Sequence, residues 1–177
     1  MDRKDVVRPS LAEREMAAPS QGAELRETAG KGGGVFATRP FHTGDLVVTG
    51  VITAELARND AHASQIALHR YVRHGGLMPK VNHSCDPNCG IGLNASGAHD
   101  LLARVPIRAG QEITFDYAMR NYAVEHFPGR CQCRTALCRG RITGWRDLPP
   151  ERRDAYRGLV APYLPDTPTG AAPDTDS

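Results

Sequence analysis

The sequence predicts a mainly β fold of many short strands, followed by a cysteine-containing appendix and one helix. Between residues 23 and 122, short β-prone runs alternate with turn residues, and no long stretch has a helical period. The 18 Gly and 13 Pro residues also indicate a chain rich in loops. At 177 residues with 40% hydrophobic residues, the chain is long enough for one domain with a packed core and tails.

The strands are predicted from apolar runs that follow turn residues. Residues 35–37 come after three glycines, and residues 46–48 come after the turn Thr-Gly-Asp. The run 51–53 either continues this second strand or pairs with it. Residues 101–105 and 113–117 form two further strands, connected by a segment that contains Pro and Gly.

The single predicted helix lies near the C-terminus. Asp147 is suited to an N-cap, and the two prolines that follow it suit a first helical turn. Apolar residues then recur at helical spacing as far as Tyr163. The predicted organisation is a disordered arm (1–22), the β-rich domain (23–122), the cysteine-containing segment (129–146), the helix (147–164) and a disordered tail (165–177).

Charge and hydropathy exclude a membrane protein of the helical class. No uncharged apolar run approaches the ~18 residues that a span needs, and the charged N-terminus is unlike a signal peptide, so we expect a cytoplasmic protein. The net charge is +2, but residues 129–160 hold eight arginines against three acidic residues, a local +5. A solvated face explains this segment better than a nucleic-acid site, which stays a less favoured alternative.

The five cysteines favour metal binding over disulfides. Their odd number, in a chain without an export signal, argues against a disulfide framework. Cys131, Cys133 and Cys138 lie within eight residues, and a tetrahedral zinc site needs one more ligand. Cys85 or Cys89 can supply that ligand; free or redox-active thiols are the alternative.

The segment NHSCDPNC, residues 82–89, is a dense cluster of polar side chains that ends a short apolar run. A Cys–His pair suggests a thiol nucleophile, but the two residues need not face each other and no acidic group is evident to orient the histidine. A polar turn fastened by a metal-bound Cys85 is the better interpretation. It leaves Asn82 and His83 without a role.

Four motifs together give a specific resemblance. KGGGVFA (31–37), NHSCDPNC (82–89), GQEITFDY (110–117) and CxCx4C (131–138) occur in the order seen in SET-domain protein-lysine methyltransferases. The chain resembles the small stand-alone members over roughly residues 24–145. The resemblance implies a SET β-clip fold of several small sheets with a zinc-binding post-SET segment. It also implies a C-terminal pseudoknot, in which the strand 113–117 is threaded through a loop and contacts the Asn-His segment at 82–83. It also implies transfer of a methyl group from S-adenosyl-L-methionine to a lysine side-chain amine.

The resemblance further implies roles for individual residues. Tyr117 resembles the catalytic tyrosine whose hydroxyl lies beside the transferring methyl, and Phe115 resembles the substrate-channel residue that tunes how many methyls are added. Cys85 matches the fourth zinc ligand beside Cys131, Cys133 and Cys138, which leaves Cys89 surplus. The residues that resemble cofactor-binding positions are Lys31, Gly32, Gly33, His62, Asn82, His83 and Gln132.

Partner and substrate are less specified. The resemblance implies a lysine-containing protein substrate, although the short region between residues 51 and 77 makes a histone-like preference doubtful. Alternatives are methylation of a small-molecule amine, or a non-catalytic SET-like module that binds nucleic acid or a protein partner. Measurable cofactor affinity separates the enzyme from the module. The histidines expected on the surface are His42, His62, His69, His74, His99 and His126.

Overall fold

The fold is described by a computed structural model that covers residues 22–28, 30, 32–60, 62–127 and 129–165. Lys31 and nearly all of the predicted N-terminal arm and C-terminal tail lie outside the described residues. Within the described part of the chain, no helix has the length and apolar character to cross a membrane.

Regular structure in the described residues is mainly short β-strands, which confirms the predicted class. Three 3₁₀ turns at 78–80, 117–119 and 145–147 and one short α-helix complete the set. In chain order the elements are β1 (Ala23–Thr28), β2 (Gly32–Ala37), β3 (Leu46–Val48), β4 (Ile52–Leu56), β5 (Ala63–Ala67), β6 (Arg70–His74), β7 (Asn82–His83), β8 (Cys89–Leu93), β9 (His99–Ala103), β10 (Glu112–Phe115) and α1 (Pro150–Ala155).

The strands form three small sheets rather than one large sheet. Their orders are β1-β2-β10-β7, β3-β9-β8 and β4-β6-β5. Most pairs are antiparallel, but β7 and β10 pair in parallel, with Asn82 opposite Thr114 and His83 opposite Phe115. The predicted neighbourhood of the Asn-His and Phe-Asp-Tyr segments is therefore confirmed. The passage of the later strand through a loop stays a prediction.

Alternation along β10 directs its apolar side chains into the core. Ile113 and Phe115 are fully buried, while Glu112 and Thr114 are only partly buried on the other face. The sequence predicted that Tyr117 continues this strand. Instead the strand ends at Phe115, because the Asp116 side chain accepts a hydrogen bond from the Ala118 amide and caps a 3₁₀ turn.

The run 51–53 neither extends β3 nor pairs with it, so both sequence-based expectations for this run are wrong. It contributes to β4, which pairs with β6 in a different sheet, whereas β3 pairs with β9. Gly50 separates the two strands where the chain crosses β9. A Cβ at Gly50 would lie 2.0 Å from the His99 carbonyl oxygen, so the close passage requires glycine.

The predicted helix 147–164 is wrong in extent. The α-helix α1 covers Pro150–Ala155 only, and its N-cap is Pro149, not Asp147. Gly158, with φ +79°, ends any helical continuation. The following backbone bonds to the core instead: the Ile91 amide donates to the Leu159 carbonyl (2.8 Å), and the Ala161 amide donates to the Met119 carbonyl (2.7 Å).

Two histidines expected at the surface are buried. His74 is 2% exposed and His99 is fully buried, and their rings stack with centroids 5.6 Å apart. The His74 Nδ1 bonds to the Ser64 hydroxyl (2.8 Å), and its Nε2 accepts the His99 amide proton (3.1 Å). Neutral histidine can pack in this way, and its sequence position alone carries no sign of it.

Candidate active site and metal centre

Four of the five cysteines converge on one point. The Sγ atoms of Cys85, Cys131, Cys133 and Cys138 all lie within 4.8 Å of one another, and those of Cys85 and Cys131 are 3.8 Å apart. With Zn–S bonds near ~2.3 Å, sulfurs in a tetrahedral site are about 3.8 Å apart. The four thiols therefore fit a single zinc ion. Cys89 lies elsewhere, buried in β8, where burial raises the pKa of its thiol to about 12.

Three of these cysteines belong to residues 129–144, which contain no helix or strand and are called the cysteine loop. Backbone amides of the loop donate hydrogen bonds to sulfurs of the four-cysteine cluster. The Arg139 amide donates to the Cys85 Sγ and the Gly140 amide to the Cys138 Sγ, both at 3.4 Å. Such bonds stabilise thiolates and orient metal ligands. The donor set thus suits a thiolate-bound cation.

A cavity of about 340 Å³ opens between the cysteine loop and the β7–β10 strand pair. Of the catalytic and cofactor-binding residues implied by the resemblance, four line it: Asn82, His83, Tyr117 and Gln132. The other described lining residues are Gly30, Phe127, Gly129, Arg130, Cys131, Cys133 and Ile142. Its volume falls within the range of small-molecule sites.

Asn82 ties the floor of this cavity together. Its side-chain amide donates to the Gly33 carbonyl of β2 (3.2 Å) and to the Glu112 carboxylate of β10 (2.8 Å). The approach is so close that a Cβ at Gly34 would lie 2.9 Å from the Asn82 amide nitrogen. The glycine run therefore serves strand packing at Gly34, which the sequence interpretation did not single out.

His83 is buried and neutral. Burial, and secondarily Arg139, lower its pKa to about 4 against the opposing effect of Asp116. The His83 Nδ1 accepts the Tyr117 amide proton (3.3 Å), so Nε2 carries the ring proton and donates to the Cys85 Sγ at 3.3 Å. The histidine thereby connects the tyrosine backbone to the sulfur cluster.

Asp116 joins three parts of the fold, a role that the sequence analysis did not assign to it. Its fully buried carboxylate accepts two hydrogen bonds from the Arg139 guanidinium, at 2.6 and 2.9 Å, and one from the Tyr156 hydroxyl at 3.0 Å. The Tyr156 hydroxyl also lies 3.2 Å from the Cys85 carbonyl. One carboxylate thus joins β10, the cysteine loop and the end of α1.

Tyr117 lies on the wall between two cavities. It lines the large cavity and also a second cavity of about 10 Å³, room for roughly one water molecule. Its hydroxyl donates to the Val81 carbonyl (3.1 Å), and its ring packs against Phe115 and Phe127 with centroids 5.1 and 5.2 Å away. Burial raises the pKa of Tyr117, so the phenol is protonated at neutral pH.

Some predicted site residues are not brought into the large cavity. Gly32, Gly33 and His62 are absent from its described lining, although Gly33 contacts Asn82. His62 is exposed, and its amide donates to Asp60, which lines the second cavity. Lys31 lies outside the described residues.

Sequence reasoning missed other residues around Tyr117. Phe127 and Arg130 line the large cavity, and Arg120 lines the small one beside Tyr117. Phe127 and Arg130 flank the cysteine motif at its N-terminal side, which is a usable signal once that motif is known to form a cavity wall. Arg120 sits three residues after Tyr117 and carries no motif of its own.

Comparison with known proteins agrees with this geometry. Residues 32–118 match the family model of the SET domain. The Drosophila melanogaster histone-lysine N-methyltransferase ash1 is 33% identical over 150 residues, 72% of this chain and 6% of that protein. The Drosophila histone-lysine N-methyltransferase Set2 is 38% identical over 76 residues, 41% of this chain and 3% of that protein.

Among solved structures, KRYPTONITE in complex with mCHH DNA, an H3(1-15) peptide and SAH has a similar fold. The TM-score is 0.51 at 22% identity, covering 68% of this chain and 29% of the other. The chain spans only a small part of each of these relatives. The likeness therefore covers the domain around the two cavities rather than whole proteins.

Proposed function

The chain belongs to the SET-domain family, and from that premise we propose that it is an S-adenosylmethionine-dependent protein-lysine N-methyltransferase. One observation carries the proposal. Tyr117 and Phe127 line both the large cavity and the small cavity, and this pair is called the aromatic wall. Methyl transfer by in-line displacement needs donor and acceptor to meet at one point, and two cavities that share Tyr117 offer a separate place for each of them.

The large cavity is proposed as the cofactor site. Asn82 and His83 would hold the amino-acid and adenine ends, and Gln132 would contact the cofactor from the cysteine loop. Arg130, the basic residue of the described lining, would pair with the cofactor carboxylate. Roles for Lys31, Gly32, Gly33 and His62 in cofactor binding stay predictions.

S-adenosylmethionine, when bound, supplies a methyl group made electrophilic by its sulfonium. Tyr117 is proposed to orient that methyl and the incoming amine through its hydroxyl, as a catalytic residue. Phe115 packs against Tyr117 and is proposed as the channel residue that limits the number of methyls added. The aromatic wall also excludes water from the reacting atoms.

A zinc ion bound by Cys85, Cys131, Cys133 and Cys138 is proposed to give the cysteine loop its structure as a post-SET segment. The ion would be structural, because all four positions of a tetrahedral site would be taken by protein sulfur. The loop contributes Arg130 and Gln132 to the large cavity, so the metal would support cofactor binding indirectly.

The substrate is proposed to be a lysine-containing protein. The solved relative was crystallised with a histone H3 peptide, which supports a protein acceptor without naming the one used here. Cytoplasmic localisation stays a prediction from the sequence. Nucleic acid is a less favoured partner, because several of the eight arginines in 129–160 already pair with acidic groups of the protein. Arg139 and Arg146 are among them.

The proposal is tested with isotopically labelled S-adenosylmethionine and a lysate of the source organism. We expect transfer of label to lysine side chains of a small set of proteins, identified by mass spectrometry, and micromolar cofactor binding by titration calorimetry. Cofactor binding without any transfer would point to a different acceptor class, beginning with small amines. Absence of cofactor binding would favour the non-catalytic module and contradict the proposal.

A further inference from the structure

Arg120 is a buried arginine without an acidic partner in the described residues. It is 6% exposed, its Nε has no hydrogen-bond partner, and no carboxylate of the described chain forms an ion pair with it. The Tyr163 hydroxyl donates to its carbonyl at 2.9 Å and fixes its backbone. Burying an unpaired charge is costly, so such a group is retained only where its charge or shape has a use.

The guanidinium of Arg120 lies over the rings of Phe115 and Tyr117. Its central carbon is 4.9 Å from the centre of the Phe115 ring and 5.9 Å from the centre of the Tyr117 ring. Arg120 lines the small cavity and is absent from the described lining of the large cavity. Because the large cavity is proposed for the cofactor, the small cavity is left for the acceptor amine, and Arg120 borders that cavity together with Tyr117.

Neighbouring ionisable groups leave this charge uncompensated. Burial lowers the pKa of His74 to about 4 and that of His99 to about 3, so both imidazoles facing Arg120 are neutral. Burial raises the pKa of Tyr117 and of Tyr163, so both phenols stay protonated. The Glu112 carboxylate also raises the pKa of Tyr117, but it accepts a hydrogen bond from the Asn82 amide (2.8 Å) and forms no ion pair with Arg120 in the described residues.

The small cavity itself adds no free anion in its described lining. The Asp60 carboxylate is engaged by the Arg73 guanidinium at 2.6 Å, and His126 is exposed. Burial lowers the pKa of Arg120 to about 10, which leaves it cationic at neutral pH.

We propose that the uncompensated cation of Arg120 favours the neutral, nucleophilic form of the acceptor amine; this rests on the proposed methyltransferase function. An ammonium has no lone pair, and a like charge nearby disfavours protonation. In the transfer step the amine lone pair forms the N–C bond as the C–S bond breaks, with its electrons going to sulfur. The resulting methylammonium then loses a proton to solvent. Arg120 is thus a positioning residue for charge rather than a catalytic residue.

The test compares two substitutions at Arg120 with one substitution at another arginine that stacks on an aromatic ring. Arg120→Met removes the charge at similar volume, whereas Arg120→Lys keeps the charge and loses the planar stack. Arg39 stacks over Phe41, 4.2 Å from the ring centre, and lines neither cavity in the described residues, so Arg39→Met is the matched control. The pH dependence of kcat is measured with a peptide around the lysine that mass spectrometry identifies.

We expect Arg120→Met to shift the rising limb of the profile upward by about one pH unit, a roughly tenfold loss near pH 7 that recovers in alkali. Arg120→Lys and Arg39→Met should keep the wild-type limb. A loss equal at every pH, or the same shift in Arg120→Lys, would show a packing role and overturn the proposal.

A second measurement does not depend on a folded variant. The wild-type protein is saturated with S-adenosylhomocysteine, which lacks the sulfonium charge, and a peptide with ¹³C at the lysine ε-carbon is titrated by NMR. We expect an acceptor pKa at least about one unit below the ordinary ~10.4, and an unshifted value overturns the proposal. A wild-type protein without transfer at any pH would instead refute the proposed function, and this inference with it.

Discussion

The β7–β10 strand pair and the cysteine loop form opposite walls of the same cavity, yet different interactions hold them. The strand pair is fixed by parallel backbone pairing, by buried Phe115 and Ile113, and by the Asn82 amide. The loop has no helix or strand, and its residues from 129 to 142 are exposed or half-buried. One wall is stabilised by a core, while the other depends on the group that its thiols would bind.

Contacts at Asp116 and at Cys85 connect the walls. Asp116 accepts both hydrogen bonds of the Arg139 guanidinium, while the Cys85 Sγ accepts one from the His83 ring and one from the Arg139 backbone amide. Because Asp116 and Cys85 are fully buried, a change in the loop should alter the residues beside Tyr117. The comparison therefore predicts that the loop can be lost without the strand pair, but not without consequence for the cavity.

The largest effect is expected from removing the metal. Chelation, or Cys131→Ser, should abolish stoichiometric zinc and leave amides of 129–144 unprotected in hydrogen exchange, while β10 stays protected. Structural thiolate sites contribute about 10–16 kcal/mol of apparent binding free energy, more than a loop without a core can replace. Cofactor binding should disappear together with loop protection.

Cys89→Ala is the matched control for the metal experiment, because Cys89 is buried in β8 away from the sulfur cluster. Its zinc content should equal that of the wild-type protein by elemental analysis. Zinc retained in Cys131→Ser but lost in Cys89→Ala would contradict the ligand set. Simultaneous loss of protection in β10 and the loop would contradict the division into two walls.

A smaller but still large effect is expected from breaking the link between the walls. Asp116→Asn leaves the partly buried Arg139 guanidinium without the fully buried carboxylate that pairs with it, which should lower the free energy of unfolding by about 3–5 kcal/mol in urea titrations. Asp154→Asn is the control, because its ion pair with Arg157 is exposed and should be worth less than about 1 kcal/mol. Equal effects in the two variants would show that the contact between Asp116 and Arg139 does not stabilise the link between the walls.

Tyr117→Phe tests the shared wall itself. The ring packing should be kept, so cofactor affinity should change little, while single-turnover methylation should fall by about 10²–10³, or about 2.7–4 kcal/mol. Asn82→Ala should do the opposite and weaken cofactor binding first, because its amide holds β2 and β10 at the cavity. Titration calorimetry and single-turnover rates on both variants separate these effects. Full activity in Tyr117→Phe would contradict the catalytic assignment.

The stable wall was the more predictable from sequence. The apolar run that follows a segment with Pro and Gly predicted β10, and the resemblance to the SET-domain family implied its contact with Asn82 and His83. These signals are local or belong to long motifs. The strands β5, β6 and β8 were not predicted individually, because their residues mix polar and small side chains whose burial is set by tertiary contacts.

For the cysteine loop, the sequence predicted the kind of ligand but not the complete ligand set, and for the C-terminal segment it predicted a helix that is too long. Cysteine spacing identified three sulfurs and two choices for the fourth, and folding selected Cys85. The helix prediction overextended because the apolar stripe from Tyr156 onward has helical spacing, yet its backbone pairs with Ile91 and Met119. Arg120 and Arg139 have no spacing signal, since their roles depend on partners far away in the chain.

The smallest expected effect concerns the stacked pair His74 and His99 in the core. Their folded pKa values lie below the ordinary ~6.5, so the unfolded chain binds more protons below that pH. The free energy of unfolding should therefore fall as pH drops below about 6.5 and continue to fall towards pH 4, by up to about 1.4 kcal/mol per pH unit for each histidine. His99→Leu removes one group whose ring nitrogens have no partner and should flatten this slope in urea titrations that follow Trp145 fluorescence. His42→Gln, at an exposed site, should leave the slope unchanged.

Acid also weakens thiolate–zinc binding in every variant, so the difference between the His99→Leu and wild-type curves isolates the core contribution. Identical slopes in the two proteins would show that acid destabilises the molecule through the cysteine loop alone.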